Sequence, residues 1–253
     1  MDDAFEPGRA HARERDAEAS LDEWRMGLAR YEPDGTVTDT LPVPDAGWEA
    51  PFVEARTESS WSRSSVPFTA GEDWGFHPDG YFVHGIGDAY SFTLLREDED
   101  ALPVRIERRW DPVPIQPGEA EEERRRTTRN MRGMVPDWSW NGADIPPTKP
   151  AFRNLMVGRD GRIWVQVSAP GYERDDPDHD PTDPESVPNR WLEPVAFDVF
   201  EPDGTYLGHV RAPEGFGIWP VPIMEGDHVW AVTTDDLGVD RIARFRLAPV
   251  ERP

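Results

Sequence analysis

The chain has 253 residues, of which 37% are hydrophobic and 11% are aromatic, with 11 tryptophans among them. This length is enough for one large domain or two small ones, and the aromatic content argues against general disorder because each ring buries a large apolar area. Asp and Glu number 50 against 27 Lys and Arg, so the net charge is −23. A field of this sign repels a phosphate backbone, and we expect no nucleic-acid partner.

Further absences narrow the class of protein. The chain contains no cysteine, which excludes disulfides, thiol catalysis and cysteine-bound zinc. Its start, MDDAFE, lacks the basic residues and apolar run of an export signal, and no stretch approaches the ~18 apolar residues of a membrane helix. Lys149 is the only lysine, a bias typical of a GC-rich genome or of adaptation to high salt. The sequence therefore predicts a soluble protein with no membrane span.

The N-terminal residues 1–20 are predicted to form a tail or a frayed helix, because residues 9–20 are rich in Ala, Glu and Arg. Alternation of apolar and polar residues from Trp24 to Tyr31 then predicts a strand. This strand leads into the first of a series of hairpin turns.

Hairpin turns recur along the chain in two alternating classes. In one class, Glu-Pro-Asp-Gly follows an aromatic residue; in the other, a turn with Asp and Gly precedes a strongly apolar strand. Proline pre-sets the backbone angle of the first turn position, and glycine accepts the positive φ that tight hairpins need. The first class occurs at 32–35 and 201–204, with a charged variant at 97–100, and the second class at 77–80, 158–161 and 225–227.

The spacing of the second class predicts a repeat of four-stranded sheets. Asp79 and Asp160 are 81 residues apart and Asp160 and Asp227 are 67 apart, but insertions occupy 111–147 and 171–190. Without the insertions the intervals are 44 and 47 residues, which matches the ~40–50 residues of a β-propeller blade.

We therefore expect an all-β fold with one short inserted helix. Residues 21–253 are predicted to form a partial β-propeller of about three and a half four-stranded blades, with the two insertions outside them. The half blade is expected near 24–45, and the full ones at 50–110, 148–212 and 216–249.

Four segments carry a likeness to a known fold: WGFHPDGYFV (74–83), TKPAF (148–152), DGRIWV (160–165) and FDVFEPDG (197–204). Through them, over residues 22–249, the chain resembles six-bladed β-propellers of the NHL and TolB-like kind, particularly bacterial hypothetical proteins of that fold. The resemblance implies export to the periplasm or the extracellular space, although the chain shows no signal peptide. It also implies a ring of which this chain looks like the C-terminal part, so that missing N-terminal blades, a second copy or another partner would complete it.

The inserted helix is expected at 118–134, where acidic residues precede arginines. This order suits the helix dipole, with ion pairs Glu121/Arg125 and Glu122/Arg126. An arginine cluster of this kind could grip a phosphate or carboxylate, but a solvated helix is the favoured interpretation.

The second insertion carries an acidic run at 173–185. Asp176, Asp178 and Asp180 have a spacing that could present oxygens to Ca²⁺. The central glycine and distal glutamate of an EF-hand loop are absent, so a solvated loop is favoured.

Other candidate residues are weaker. Trp138 and Trp140 could stack on a sugar or an aromatic ligand, but packing of the insertion is favoured. The six histidines form no metal-binding motif, and Gly85-Ile86-Gly87 lacks the third glycine of a phosphate loop. No residue is therefore predicted as catalytic, cofactor-binding or metal-binding.

Three functions follow from this sequence. The favoured one is a non-enzymatic propeller scaffold that binds an unknown protein, peptide or small ligand. The second, by the family resemblance, is a divalent-metal-dependent hydrolase or lyase. The third is a truncated remnant or one half of an assembled propeller, including a homodimer.

Overall fold

The computed structural model describes residues 11–12, 27–96, 102–177, 179–183, 186–235 and 238–248. Within these ranges the fold is all-β with one helix, as the sequence predicts. Every strand pairing among the described residues is antiparallel, and no sheet that they form closes on itself. No helix of the described ranges has both the length and the apolar character needed to cross a membrane.

The N-terminal part contains two small sheets. Strands β1 (His11–Ala12), β2 (Gly27–Tyr31) and β3 (Val37–Pro42) form the first, in that order. Strands β4 (Phe52–Arg56) and β5 (Trp61–Ser65) form a separate hairpin. The sequence placed one blade over this hairpin and the strands that follow it, whereas the structure divides them between two sheets.

The predicted N-terminal tail or frayed helix is described only at His11–Ala12. These two residues pair with Gly27 and Leu28 of β2. The rest of 1–20 lies outside the described residues.

A four-stranded sheet, which we call sheet I, follows the hairpin. Its strands are β6 (Glu72–Phe76), β7 (Phe82–Ile86), β8 (Ser91–Leu95) and β9 (Val104–Glu107). They lie in sequential order, β6-β7-β8-β9. Each strand therefore returns along its predecessor, as the recurring turns predict.

A second four-stranded sheet, sheet II, is interrupted by one insertion. Its strands are β10 (Phe152–Val157), β11 (Ile163–Val167), β14 (Ala196–Phe200) and β15 (Tyr206–Arg211), again in chain order. All five residues of β11 and all five of β14 are buried. Sheet II is thus covered on both faces.

A three-stranded C-terminal sheet completes the described structure. Strands β16 (Ile223–Glu225), β17 (His228–Thr234) and β18 (Asp240–Arg246) lie in that order. The two insertions contain α1 (Pro117–Arg132) and the short pair β12 (Tyr172–Glu173) and β13 (Trp191–Leu192).

The predicted hairpin glycines adopt the left-handed conformation that their turns require. A residue with a Cβ is strained at such positive φ angles, which explains glycine at each turn. The preceding aspartates of three turns also accept a hydrogen bond from the backbone N–H two residues later, at 2.8 to 3.2 Å. The glycine φ values are 87° at Gly35, 87° at Gly80, 79° at Gly161, 90° at Gly204 and 60° at Gly226.

Turns of neighbouring sheets contact one another at one end of the sheets, which we call the turn end. The His77 ring bonds the carbonyl of Gly161 at 3.0 Å, and Asp160 accepts from the Gly226 N–H at 2.9 Å. The Tyr81 hydroxyl donates to the carbonyl of Pro202 at 3.2 Å. The turns therefore connect sheet I to sheet II, and sheet II to the C-terminal sheet.

Two hydrophobic clusters fill the spaces between these three sheets. One lies between sheets I and II, where the Phe92 and Phe200 rings meet edge to face with centroids 5.2 Å apart. The other lies between sheet II and the C-terminal sheet and contains Trp164, Phe197 and Met224. The three sheets therefore form a continuous stack with an apolar core on each side of sheet II.

Candidate functional site at the insertion end

Both insertions leave and rejoin the sheets at the end opposite the turn end, which we call the insertion end. One runs from the end of β9 to the start of β10, and the other runs from the end of β11 to the start of β14. Antiparallel pairing brings these strand termini together. Long connections gathered on one face of a rigid scaffold are common sites of binding, so this end is the candidate functional site.

Helix α1 begins at a well-defined N-terminus. Pro117 occupies its first turn, and Glu119 accepts a hydrogen bond from the Gln116 backbone N–H at 3.3 Å. The sequence predicted a solvated helix, but one face of α1 is buried and includes Glu119 and Glu122. Buried carboxylates need compensating partners, and the structure supplies them.

Lys149 is the partner of Glu119. Its ammonium group lies 2.6 Å from Glu119 Oε1 and 2.8 Å from Glu193 Oε2, and it donates to the carbonyl of Ala169 at 3.1 Å. Arg153 contacts the same Glu193 oxygen at 2.6 Å. The Lys149 side chain is fully buried, whereas that of Arg153 is 35% exposed.

This four-residue group, the Lys149 network, has no net formal charge. Two carboxylates face one ammonium and one guanidinium group, and each of the three ammonium hydrogens has an acceptor. Removal of one partner leaves an uncompensated buried charge, which typically costs 3–5 kcal/mol. The network thus fixes the insertion that contains Glu119 to the start of sheet II.

Glu122 joins the two insertions to each other. Its Oε1 atom accepts from the backbone N–H groups of Arg190 and Trp191 at 3.0 and 3.4 Å, and from Arg126 at 3.3 Å. Arg126 also donates to Pro188 O at 3.3 Å. The predicted Glu122/Arg126 pair therefore exists, but it is part of an anchor between α1 and the second insertion.

Phe68 lies beside the Lys149 network in an unusual backbone conformation. Its φ is 63°, a left-handed value that a bulky residue rarely adopts. Its ring centroid is 5.6 Å from Lys149 Nζ and 5.9 Å from Arg153 Cζ, within the range of cation–π attraction. The ring and the Arg153 guanidinium together form the partly exposed layer over the buried ammonium.

An open cleft of about 420 Å³ lies at the base of the second insertion. Glu173, Arg174, Asp175 and Arg190 line it. Arg190 is 3.3 Å from Glu173 and 3.7 Å from Glu122, so it is already held by carboxylates of its own chain. The cleft is polar, and its lining consists of two acidic and two basic side chains.

A second buried polar group surrounds Asp198 of β14. Its carboxylate accepts from Tyr90 at 2.7 Å and Arg108 at 2.6 Å, and it contacts His209 at 2.9 Å and Tyr206 at 3.2 Å. Burial, together with the bond to Asp198, raises the pKa of Tyr90 far above its ordinary value of 10.0. This group bridges sheets I and II, because Tyr90 directly precedes β8, Arg108 directly follows β9, and Tyr206 and His209 lie on β15.

Several residues singled out in the sequence have packing contacts. Trp138 is buried and donates to the Glu54 carbonyl at 2.7 Å, which places the segment after α1 against β4. Asn141 bonds the same carbonyl at 2.7 Å. Trp140 lies 4.4 Å from the Arg124 guanidinium and is half-buried. The two indoles meet edge to face rather than forming a parallel platform.

The acidic run was considered as a calcium site. Asp176 accepts from the Asn189 N–H at 2.7 Å, and Asp180 caps Thr182 at 2.8 Å. Asp178 lies outside the described residues. Among the residues that are described, no group of three or more His, Asp or Glu is arranged to hold a metal ion.

Comparisons with known proteins give little further guidance. No family model matches the chain, and no curated protein matches it. One similar solved structure is a member of the DUF4221 family from Bacteroides vulgatus, with a TM-score of 0.39 and 8% identity. The match covers 88% of this chain and 64% of that chain, so this chain spans less than two thirds of that protein's length.

Proposed function

We propose that this chain is a partial β-propeller that acts as a non-enzymatic binding scaffold, with the insertion end as its binding surface. Support for the propeller comes from the order of the sheets. Sheets I and II have four antiparallel strands in chain order, which is the construction of a propeller blade. Their first strands lie side by side, with the Leu155 N–H of β10 bonded to Asp73 of β6 at 2.5 Å.

The observation that carries the binding proposal is the concentration of exposed arginines at the insertion end. Arg125, Arg129 and Arg132 lie along one exposed face of α1, at helical spacing. Arg174 is exposed at the same end, and so is Arg153, which is paired with Glu193. In a chain of net charge −23, the three helix arginines form a local row of positive charge, while Arg174 lies between the exposed Glu173 and Asp175.

The partner that fits this surface is a protein segment bearing carboxylates. Arginine presents a fork of donors that matches carboxylate geometry. Arg124 and Arg126 are engaged by Asp144, Glu122 and Glu123 of the same chain. Arg132 donates to the Trp138 carbonyl at 3.1 Å, so Arg125 and Arg129 are the arginines of the helix that remain for a partner.

A fluorescein-labelled peptide of zero net charge that contains a pair of glutamates tests this proposal in fluorescence anisotropy, because the net charge of −23 would repel a strongly acidic peptide. We expect saturable binding that weakens as salt is raised, because exposed charges are screened over about 8–10 Å at physiological ionic strength. The R125E/R129E variant should lose at least tenfold in affinity.

The matched control places the same charge change at the turn end. Arg96 and Arg159 are exposed there, and R96E/R159E alters the net charge by the same amount. This variant should bind the peptide as the parent chain does. Absence of peptide binding, or equal loss in both variants, would show that the insertion end is not a specific carboxylate-binding surface.

A further inference from the structure

The C-terminal sheet ends in an exposed edge strand. Sheets I and II each have four strands, but the C-terminal sheet has three, and β18 pairs only with β17 in the described part of the chain. β18 is seven residues long and is exposed at five of them, with Ile242 82% exposed. Such an edge presents unpaired backbone groups that can accept another strand.

The N-terminal sheet ends in a similar edge. Among the described residues β3 pairs only with β2, and five of its six residues are exposed. Three of its first four residues, Val37, Thr38 and Thr40, are β-branched, which suits an extended strand. One molecule therefore carries two exposed edges of similar length.

The charges on these edges are complementary. β18 contains three arginines and one aspartate; Arg241 and Arg246 pair with Asp235 and Asp227 of the same chain at 2.7 and 2.8 Å, so Arg244 is the arginine that faces a partner strand. β3 contains Asp39 and no basic residue. Like charges that lie opposite one another in a sheet are destabilising, so the arginines oppose the pairing of β18 with a second β18. They favour a strand such as β3.

We propose that β18 of one molecule pairs with β3 of a second copy of this chain. Two copies related by a twofold axis make this contact twice, and both exposed edges of each molecule are then covered. The resulting dimer is built from continuous sheets that run from one chain into the other. The contact uses β3 and β18 rather than α1 or the second insertion, so it stands or fails independently of peptide binding to α1.

Size-exclusion chromatography with light scattering on the full chain gives the first test. We expect the mass of two 28.7 kDa chains. The single variants R244E and D39R each place like charges across the contact and should weaken dimerisation about tenfold. The double variant R244E/D39R restores opposite charges and should dimerise again.

Cysteine cross-linking gives the second test, since the parent chain has no cysteine. Single-cysteine variants at Thr38 or Thr40 are mixed with variants at Ile242 or Arg244 and oxidised. At least one mixed pair should form a disulfide-linked dimer, whereas an Arg129→Cys control on α1 should not link to either strand.

A monomeric parent chain would overturn the proposal. So would a dimer whose mass is unchanged in R244E and in D39R, or one that cross-links through no β3–β18 pair, because another partner surface would then hold it together. Circular dichroism on each variant verifies that the fold is retained.

Discussion

At the scale of single residues, Lys149 is the only lysine of the chain, and its side chain is fully buried. Its ammonium group has three acceptors within 3.1 Å, from a glutamate of α1, a second glutamate and a backbone carbonyl. Lysine is a compact point charge with three donors, whereas arginine is a larger planar fork. The surplus of arginine in the sequence indicated a genomic bias, but it gave no sign that the single lysine is buried.

Substitution of Lys149 by Ala should destabilise the chain strongly. The buried carboxylates of Glu119 and Glu193 would lose their shared cation, and the expected loss is about 3–5 kcal/mol in the free energy of unfolding. Urea denaturation followed by tryptophan fluorescence measures it. The matched control, E121Q, changes an exposed carboxylate of the same helix and should stay within about 0.5 kcal/mol of the parent chain.

The K149R variant tests whether the network needs only the positive charge of Lys149 or also the compact shape of its ammonium group. If the network only needs a positive charge, the arginine variant should be as stable as the parent, and the geometric account of Lys149 is then wrong. We expect most of the loss seen in the alanine variant, because the larger guanidinium group does not fit a fully buried ammonium site.

His77 gives the turn end a dependence on pH. Its Nδ1 accepts from the Asp79 N–H at 3.0 Å, so its proton lies on Nε2 and is donated to the Gly161 carbonyl. Burial lowers the pKa of His77 below its ordinary 6.5, against the opposing carboxylate of Asp79. A second proton would lie on Nδ1 and point at the Asp79 N–H donor, so this contact also disfavours the protonated ring.

The stability that His77 contributes should therefore be lost in acid. The unfolded chain binds the proton first, so the free energy of unfolding is unaffected by His77 above pH 6.5 and falls as the pH drops below 6.5 towards the lowered pKa. The slope is at most about 1.4 kcal/mol per pH unit. Unfolding curves of the parent and H77N between pH 5 and 8 measure this: the variant should lack the slope, and parallel curves would contradict the assignment.

At the scale of elements, the hairpins were predictable and the long-range contacts were not. Each turn is encoded by adjacent residues such as Glu32-Pro33-Asp34-Gly35, so a local pattern is sufficient. The separation of β4–β5 from sheet I depends instead on Trp138 and Asn141, more than 80 residues away. The burial of Glu119 depends in the same way on Lys149, so α1 appeared solvated in the sequence.

Two turn glycines with similar backbone angles allow the cost of backbone strain to be distinguished from the cost of a lost contact. Gly35 and Gly161 have φ of 87° and 79°, but a Cβ at Gly35 meets nothing within 4 Å, whereas one at Gly161 would lie 2.6 Å from His77 Nε2. G35A should cost roughly 1–2 kcal/mol from backbone strain alone. G161A should reduce the free energy of unfolding by clearly more, because the added methyl group also pushes the turn of Gly161 away from the turn of His77.

Thermal and urea unfolding of both variants measure the difference. Equal losses in G35A and G161A would mean that the contact between turns contributes nothing to stability. A larger loss in G161A that disappears in the H77A background would assign it to the His77 contact, since coupled neighbours are not additive.

At the scale of the whole molecule, the stack of sheets follows from a repeated pattern, while its functional end does not. The turn spacing predicted three sheets, at the places where sheet I, sheet II and the C-terminal sheet occur. The insertion end is held by Glu119, Glu122 and Asp198, whose partners lie in other elements. Acidic residues are common in this chain, so no sequence signal distinguishes these three from the solvated ones.

The seam between sheets I and II depends on close backbone approach at Gly87. A Cβ at Gly87 would lie 2.3 Å from the Phe152 carbonyl oxygen, and the Gly87 carbonyl accepts from the Ala151 N–H at 2.7 Å. Neither atom belongs to a flexible side chain, so G87A must shift one sheet relative to the other. Overpacking of this kind typically costs 1–3 kcal/mol.

Gly71, which precedes β6, supplies the control. Its Cβ would meet nothing within 4 Å, and its carbonyl accepts from the Gly87 N–H at 3.0 Å. G71A should therefore leave the urea midpoint almost unchanged, whereas G87A should lower it and increase amide hydrogen exchange along β6 and β10 together. If exchange rose in only one sheet, the two sheets would be independent units, and the rigid stack on which the insertion end rests would not exist.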